Sequence, residues 1–367
     1  MTSRTAHDQK TLDRSYYVSP DVYGRETEQI FRQRWLYAGR ISELAEPGSY
    51  FLFEMEEESI IVLRDHDEGI HALHNVCRHR GTRLVVESTG SFSKSIQCPY
   101  HAWTYSLDGT LIGAPFMDEV EAFDTADYPL QSVALALWEG CIFLNLADDP
   151  EPFERAFAPL IGKFGRWDMA DVQIAHRIVY DIPANWKLVF QNYSECYHCP
   201  SLHPVLNRLT PFRNAENDLD EGPFLGGPMV MEIKDGSMTM TGQRCAAPFA
   251  GLEGDQLGQV QYYTVFPNLL LSLHPDYVLI HRVDRMATDR TRIVCDWLFH
   301  PDAIAAPDFD PSPAIDFWNM TNNQDWEVSG RSQAGIASRA YTPGPYAELE
   351  SMIAAWDRAY LKALGGA

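Results

Sequence analysis

The chain predicts an α+β protein: a small all-β unit, then a larger part that mixes helices with antiparallel strands. Three observations carry this expectation. From Pro20 to Trp35, "PDVYGRETEQIFRQRW" spaces Tyr23, Ile30, Phe31 and Trp35 so that they can share one helix face. From about residue 45 to 148 the texture turns to short strand-like runs divided by Gly, Asp and Ser turns. After "ADDPEPFE" longer strands alternate with helices.

In order, the β unit reads as "SYFLFEME", "SIIVLRD", "GIHALHNV", "SIQCPY", "TYSLDGTLIG" and "GCIFLNL". In the second part "DIPANWKLVFQNYSECYH" is a strand end running into a helix. "YYTVFPNLLLSLHPDYVLIHRVDR" and "RTRIVCDWLFHP" read as two adjacent antiparallel strands joined by "MATD". "SPAIDFWNMTNNQDWEVSGRSQ" begins Ser-Pro, a helix-opening pair, and "ELESMIAAWDRAYLKAL" is a closing helix. Pro150 and Pro152 sit in an acidic linker and set the main boundary. The organisation expected is a helical segment over 1–40, a β domain over 41–152 and a second domain over 153–367.

A net charge of -22 excludes a nucleic-acid partner, whose phosphates demand Lys/Arg patches. No apolar run approaches the ~18 residues that span a bilayer, so no membrane role is expected. "MTSRTAHDQKTLDR" lacks the apolar core of a signal peptide, and the expectation is a cytoplasmic enzyme. Seven scattered cysteines do not make a disulfide framework; metal ligation or burial suits them better.

"NVCRHRGTRL" and "CPYHAWTYSLDG" form a matched pair. Cys77 and His79 are one residue apart, Cys98 and His101 two, and 18 residues lie between the halves. Zinc with two Cys and two His is the rival, but zinc knuckles usually pair Cys with Cys and His with His. Here each half is mixed. One iron taking both thiolates and another taking both imidazoles fits that pattern, which makes Cys77, His79, Cys98 and His101 the ligands of a [2Fe–2S] cluster of Rieske type.

With these motifs the chain resembles the catalytic subunits of Rieske non-haem iron oxygenases over nearly its whole length. The resemblance implies a Rieske domain joined to a helix-grip catalytic domain, and a second, mononuclear iron. In "NYSECYHCPSLHP", His198 and His203 lie five apart, ~140° around an unbroken helix, so the helix has to bend or end between them, near Pro200. Glu195 shares a helix face with His198. The stretch resembles the family's carboxylate-x2-His-x4-His motif, which implies that His198 and His203 bind Fe(2+). "NNQDWE" resembles the region of the third ligand and implies Asp325, with Asp316 and Glu327 as substitutes. Cys196 and Cys199 read as packed helix residues, because thiolates would pull the site toward zinc.

Many family members carry Asp where this chain has Glu195. The longer side chain resembles the branch that oxidises quaternary amines of the choline and glycine betaine type. The role implied for Glu195 is a bridge for electrons and protons between His198 and His101 of an adjacent chain, hence a homotrimer. No Gly fingerprint for a dinucleotide appears, so NAD(P)H and flavin belong to a separate reductase or ferredoxin partner.

The activity implied is an oxidoreductase, a mono- or dioxygenase that uses O2 to hydroxylate or oxidatively demethylate a small quaternary or N-methylated amine. Tyr262, Tyr263, Phe266 and Tyr277 are candidates for an aromatic cage around an ammonium. His274 and His281 read as core or pocket residues. The alternative is an aromatic ring-hydroxylating dioxygenase or O-demethylase acting on an aromatic acid, whose carboxylate Arg244 or Arg282 would hold. A Rieske electron carrier without catalysis is the third reading; the second His/His/carboxylate set argues against it.

Overall fold

The computed structural model describes residues 9–365. The polar opening stretch bears on the signal-peptide reading, and its residues 1–8 lie outside them. The chain divides into two compact units: residues 35–150 form one, and the segments on either side of them form the other.

The unit over 35–150 holds three small antiparallel sheets. The first is ordered β1-β10-β9, from Leu36–Arg40 (β1), Cys141–Asn145 (β10) and Ala134–Trp138 (β9). The second is ordered β4-β3-β2-β5, from Ile70–His74, Glu58–Arg64, Ser49–Met55 and Thr89–Ser91 in that order. The third joins β6 (Ile96–Gln97), β7 (Thr104–Tyr105) and β8 (Leu111–Gly113). "SIIVLR" in β3 is apolar at successive positions because it is covered on both faces. Strands β1, β5 and β9 went unread in the sequence; β5 is three exposed polar residues with no pattern to find. Leu73, Leu84, Ile96, Trp103, Tyr105 and Leu111 pack into one core around Cys77 and Cys98. Each fully buried apolar side chain there contributes roughly 1.5–3 kcal/mol.

The other unit is built on a six-stranded antiparallel sheet ordered β11-β16-β15-β14-β13-β12. Its strands are Gln173–Ile182 (β11), Phe224–Val230 (β12), Gln259–Val265 (β13), Leu269–Leu273 (β14), Val278–Ala287 (β15) and Arg290–Phe299 (β16). The stretch 262–285, read as one strand, is therefore parts of three. Pro267 and Pro275, each without a backbone N–H, stand at its two reversals. The β15–β16 hairpin through 287–290 is as expected.

Helix α1 spans Pro20–Glu26 and runs on as a wider turn over Thr27–Phe31. Helix α2, Trp186–Tyr193, starts at Asn185, whose side chain accepts from the Lys187 N–H at 3.1 Å. Short helices α3 (Cys199–Leu202) and α4 (Pro204–Leu209) follow. The 25-residue helix α5, Ser312–Ile336, lies on the sheet. Tyr180 of β11 donates to Asn319 at 2.9 Å, and Trp297 of β16 to the Ala314 carbonyl at 3.3 Å. Helix α6, Ser351–Ala363, packs Trp356 on Trp186 and Phe190 of α2. Among the described residues no helix is long and apolar enough to cross a membrane.

Candidate active site

In the unit over 35–150, two tight loops face each other. In the first, Gly81 N–H bonds the Cys77 carbonyl and Cys77 N–H the Thr82 carbonyl, both at 2.9 Å. In the second, Ala102 N–H bonds the Cys98 carbonyl at 3.1 Å and Cys98 N–H the Trp103 carbonyl at 2.8 Å. Gly81 has φ +73°, a backbone that glycine adopts without strain. Asn75 braces the first loop, its side-chain oxygen accepting from the N–H groups of Leu84 and Val85.

These loops bring Cys77, His79, Cys98 and His101 together. Both thiols are buried, at 2% exposure, and burial pushes the Cys77 thiol up, with Cys98 adding to the shift. The two imidazoles stand 4.6 Å apart, and His79 stacks on Trp103 at 4.8 Å. Nδ1 of His79 is buried with no hydrogen-bond partner, an unsatisfied nitrogen that a bound metal would satisfy. The donor set fits a [2Fe–2S] cluster. Sequence reasoning did not single out Tyr105, whose hydroxyl lies 3.4 Å from the Cys77 sulfur and accepts from the Arg78 N–H at 3.0 Å.

In the other unit, α2 stops at Tyr193, so residues 195–198 form a turn rather than the helix expected there. Glu195 still meets His198, for a different reason: it caps the turn. Its Oε2 accepts from the backbone N–H groups of Tyr197 and His198, and Oε1 lies 2.5 Å from His198 Nδ1. A carboxylate accepts only, so the Nδ1 proton points at Glu195 and Nε2 is turned the other way. His203 sits between α3 and α4, its Nδ1 2.7 Å from Gln324 Oε1 and its Nε2 2.7 Å from Asp325 Oδ1. His198 Nε2 is 3.5 Å from the same Asp325 oxygen.

Donor atoms of His198, His203 and Asp325 thus lie within 4.8 Å of one another. Both imidazoles present Nε2 to a common point while their Nδ1 atoms are held by Glu195 and Gln324, the outer partners that fix ring orientation in metal sites. Asn192 Nδ2–H donates to Asp325 Oδ1 at 2.8 Å and steadies the carboxylate. Two His and one carboxylate on one side fit Fe(2+) with positions left open. Burial alone would lower the His198 pKa, but its bonds to Asp325 and Glu195 outweigh that and push it up to about 10. Burial likewise raises Asp325, and the two imidazoles more than reverse it. The mutual attraction is that of a ligand set closed on its own protons, which a divalent ion displaces. Neither Gln324 nor Asn192 was singled out, though each stands beside a motif, in "NNQDWE" and "QNYSECYH".

The cysteines of this stretch differ from expectation. Cys196 and Cys199, read as packed helix residues, are joined in a disulfide within the turn, their Cα atoms 4.9 Å apart. A thiolate is the metal-binding form of cysteine, so the pairing removes both sulfurs as competitors for the iron.

A cavity of about 310 Å³ opens on the triad. His198, His203 and Asp325 share its wall with Tyr193, Phe212, Tyr262 and Trp318. The rings of Tyr193 and Trp318 each stand 6.1 Å from that of Tyr262. Of the four expected cage residues only Tyr262 is there. Tyr263 points to the opposite face of β13, where its hydroxyl donates to Asp218 and Lys163 lies over its ring. Phe266 packs against Trp186 and Trp356. Tyr277 is buried, donating to the Met238 carbonyl and stacked on His274 at 4.0 Å. His274 and His281 are both buried away from the cavity wall, and burial holds His281 down at about 4. Arg244 and Arg282, the expected carboxylate holders, are paired with Asp235 and Asp284 and do not line the cavity. The cation on the wall is Arg213.

Each of the two units also matches a known family. Residues 34–124 match the Rieske [2Fe-2S] domain, and residues 169–366 match the ring hydroxylating alpha subunit (catalytic domain). The chain is 32% identical to the glycine betaine monooxygenase oxygenase subunit of Chromohalobacter salexigens, over 92% of its own length and 81% of the relative's. It is 35% identical to the carnitine monooxygenase oxygenase subunit of Acinetobacter baumannii over 53% of each chain. A solved quaternary ammonium Rieske monooxygenase, described for carnitine oxidation and inter-subunit electron transfer, shares the fold with a TM-score of 0.81 at 24% identity, covering 97% of this chain and 94% of that one.

Proposed function

The chain belongs to the Rieske non-haem iron oxygenases as a catalytic subunit, and from that premise we propose that it oxidises an N-methyl group of a small quaternary or N-methylated amine. The observation that carries the proposal is the cavity in which Tyr193, Tyr262 and Trp318 share a wall with the His198/His203/Asp325 triad. Aromatic faces attract an ammonium most strongly where water is excluded, and an ammonium held there presents its methyl groups to the triad. The names of the relatives, for glycine betaine and carnitine oxidation, point the same way.

The family's cofactors are a [2Fe–2S] cluster and a mononuclear iron, which when bound supply electrons and dioxygen reduction. We assign the cluster to Cys77, His79, Cys98 and His101 and the lone iron to His198, His203 and Asp325. Glu195 holds the His198 Nδ1 proton, Gln324 that of His203, and Asn192 aims Asp325, so the ligand atoms are set before metal or substrate arrives. Overall, one O2, two electrons and two protons convert an N-methyl to N-hydroxymethyl and water; loss of formaldehyde then leaves the demethylated amine. The electrons come from a separate NAD(P)H-dependent reductase. Glu195 is further assigned the link from His198 to His101 of a neighbouring copy in a homotrimer. The adjoining Tyr197 is 56% exposed, an aromatic side chain that a neighbouring copy would cover.

The second reading, an aromatic-ring hydroxylase or O-demethylase acting on an aromatic acid, is compatible with the Arg213 cation on the cavity wall, which could hold that acid's carboxylate. Oxygen uptake with a generic reductase across quaternary amines and aromatic acids separates the two. Formaldehyde released in step with a quaternary amine is the expected outcome. Diol or phenol from an aromatic acid, with no formaldehyde from any amine, rejects the first reading.

A further inference from the structure

Arg213 is exposed, and it lines the cavity ten residues after His203. Its backbone is not free to wander. Phe212 N–H donates to Asn207 Oδ1 at 3.1 Å, Asn214 N–H bonds the Pro211 carbonyl at 2.9 Å, and Ala215 bridges to Met229 of β12. The guanidinium carbon stands 5.2 Å from the centroid of the Phe212 ring, whose face steadies the planar head.

The head itself has no carboxylate. Among the described residues Arg213 makes no ion pair and no hydrogen bond through its guanidinium, which rests on the Phe212 ring. In a chain with 51 acidic residues against 29 basic ones, a surface arginine has carboxylates to spare. Most other arginines lie against one: Arg83 on Glu54, Arg177 on Asp296, Arg244 on Asp235, Arg358 on Glu221. On the cavity wall Glu195 and Asp325 are committed to the imidazoles. Among the described residues Arg213 is the only Lys or Arg there. The cavity therefore offers two kinds of chemistry: aromatic rings that share a wall with the triad, and an exposed cation without an ion pair.

We infer that Arg213 is the specificity-determining anchor for a carboxylate on the substrate, so that the substrate is an acid held by Arg213 with its oxidisable group toward the triad. The inference rests on reading the cavity as the substrate site, but not on which group is oxidised; it holds for a zwitterionic amine and for an aromatic acid alike. Arg offers two parallel N–H donors that match the two oxygens of a carboxylate, which Lys does not. Choline-like cations without an acid group are bound by the aromatic rings alone and are discriminated against.

The test is anaerobic equilibrium titration of the holoenzyme, where no turnover intervenes, with matched ligand pairs. Quaternary-ammonium carboxylates are set against their alcohols (glycine betaine against choline), and aromatic carboxylates against their amides (benzoate against benzamide). The wild type is expected to prefer the acid of at least one pair. Arg213→Gln should then weaken that acid by about tenfold, the worth of one charge-assisted pair that stays partly open to water. It should leave the alcohol or amide unchanged, and Arg213→Lys should recover part of the loss. If the aromatic acids rather than the betaines respond, the anchor stands and the amine reading falls. Equal weakening of acid and neutral partner, no weakening of either, or a wild type that prefers the neutral partner in every pair would each overturn the inference.

Discussion

Glu195 commits both carboxylate oxygens locally, one to the His198 ring and the other to two backbone N–H groups of its own turn. Glutamine keeps one acceptor oxygen in place, so Glu195→Gln should preserve the ring orientation while removing the charge that holds and releases a proton. The expected result is unchanged iron and acid-labile sulfide with substrate oxidation down on the order of 100-fold or more, the scale of a lost proton-transfer group. Turnover near the wild-type rate would dispose of the bridge assigned to Glu195. At this scale the sequence was readable where chemistry is local. Cys77 with His79, and Cys98 with His101, each sit in one loop, so spacing alone brings them near. Gln324 and Asn192 were not readable, because a carboxamide reveals its role only through the partner it meets, and those partners come from other elements.

Helix α6 carries Asp357, buried and bonded to Gln191 of α2 at 2.7 Å and Tyr346 at 2.6 Å. Burial pushes its carboxyl up to about 6 against those bonds, and does the same to Asp276 in the β14–β15 turn. Between about pH 4 and 6 each group is protonated in the folded chain and ionised in the unfolded one. The folded state binds more protons there, so this contribution to stability is present at the acid end and falls as pH rises through 6. Replacing both with Asn removes the fall. Thermal unfolding at pH 5 and pH 7 should show the Asp276→Asn/Asp357→Asn variant gaining on the wild type as pH rises; a constant difference would refute it. The elements themselves were legible to the extent that each has a periodic pattern of its own. Helices α5 and α6 and the β15–β16 hairpin were, while the stretch 262–285 hid two reversals inside a run of apolar residues that looks continuous until it is folded.

At the scale of the molecule, one buried glutamate draws together segments from both ends of the chain. Glu26 of α1 accepts from Trp186 Nε1 at 2.9 Å and from Tyr360 at 2.7 Å, and lies 2.5 Å from Lys187 Nζ and 3.3 Å from Arg285. Burial pulls the Lys187 ammonium down to about 8, with Glu26 opposing the shift. Removing the anion takes from two buried cations the carboxylate they share, a loss of about 3–5 kcal/mol where such pairs are broken. Glu26→Ala should accordingly fall far short of the wild-type midpoint in urea, or fail to accumulate as folded protein. A change under about 1 kcal/mol would mean that water enters this cluster.

Taken alone, the residue order settled everything that nearest neighbours along the chain decide: the two mixed Cys/His loops, the helix-opening and strand patterns, the acidic surface, and a His/His pair needing a break between its members. Folding settled what depends on residues far apart meeting. Asp325 reaches His203 across 122 positions, Tyr262 and Tyr263 part to opposite faces of one strand, two cysteines bond each other, and Arg213 arrives at the cavity wall. The reason is common to all of these. Spacing fixes which side chains point the same way from one element, but only the packing of elements fixes what stands opposite.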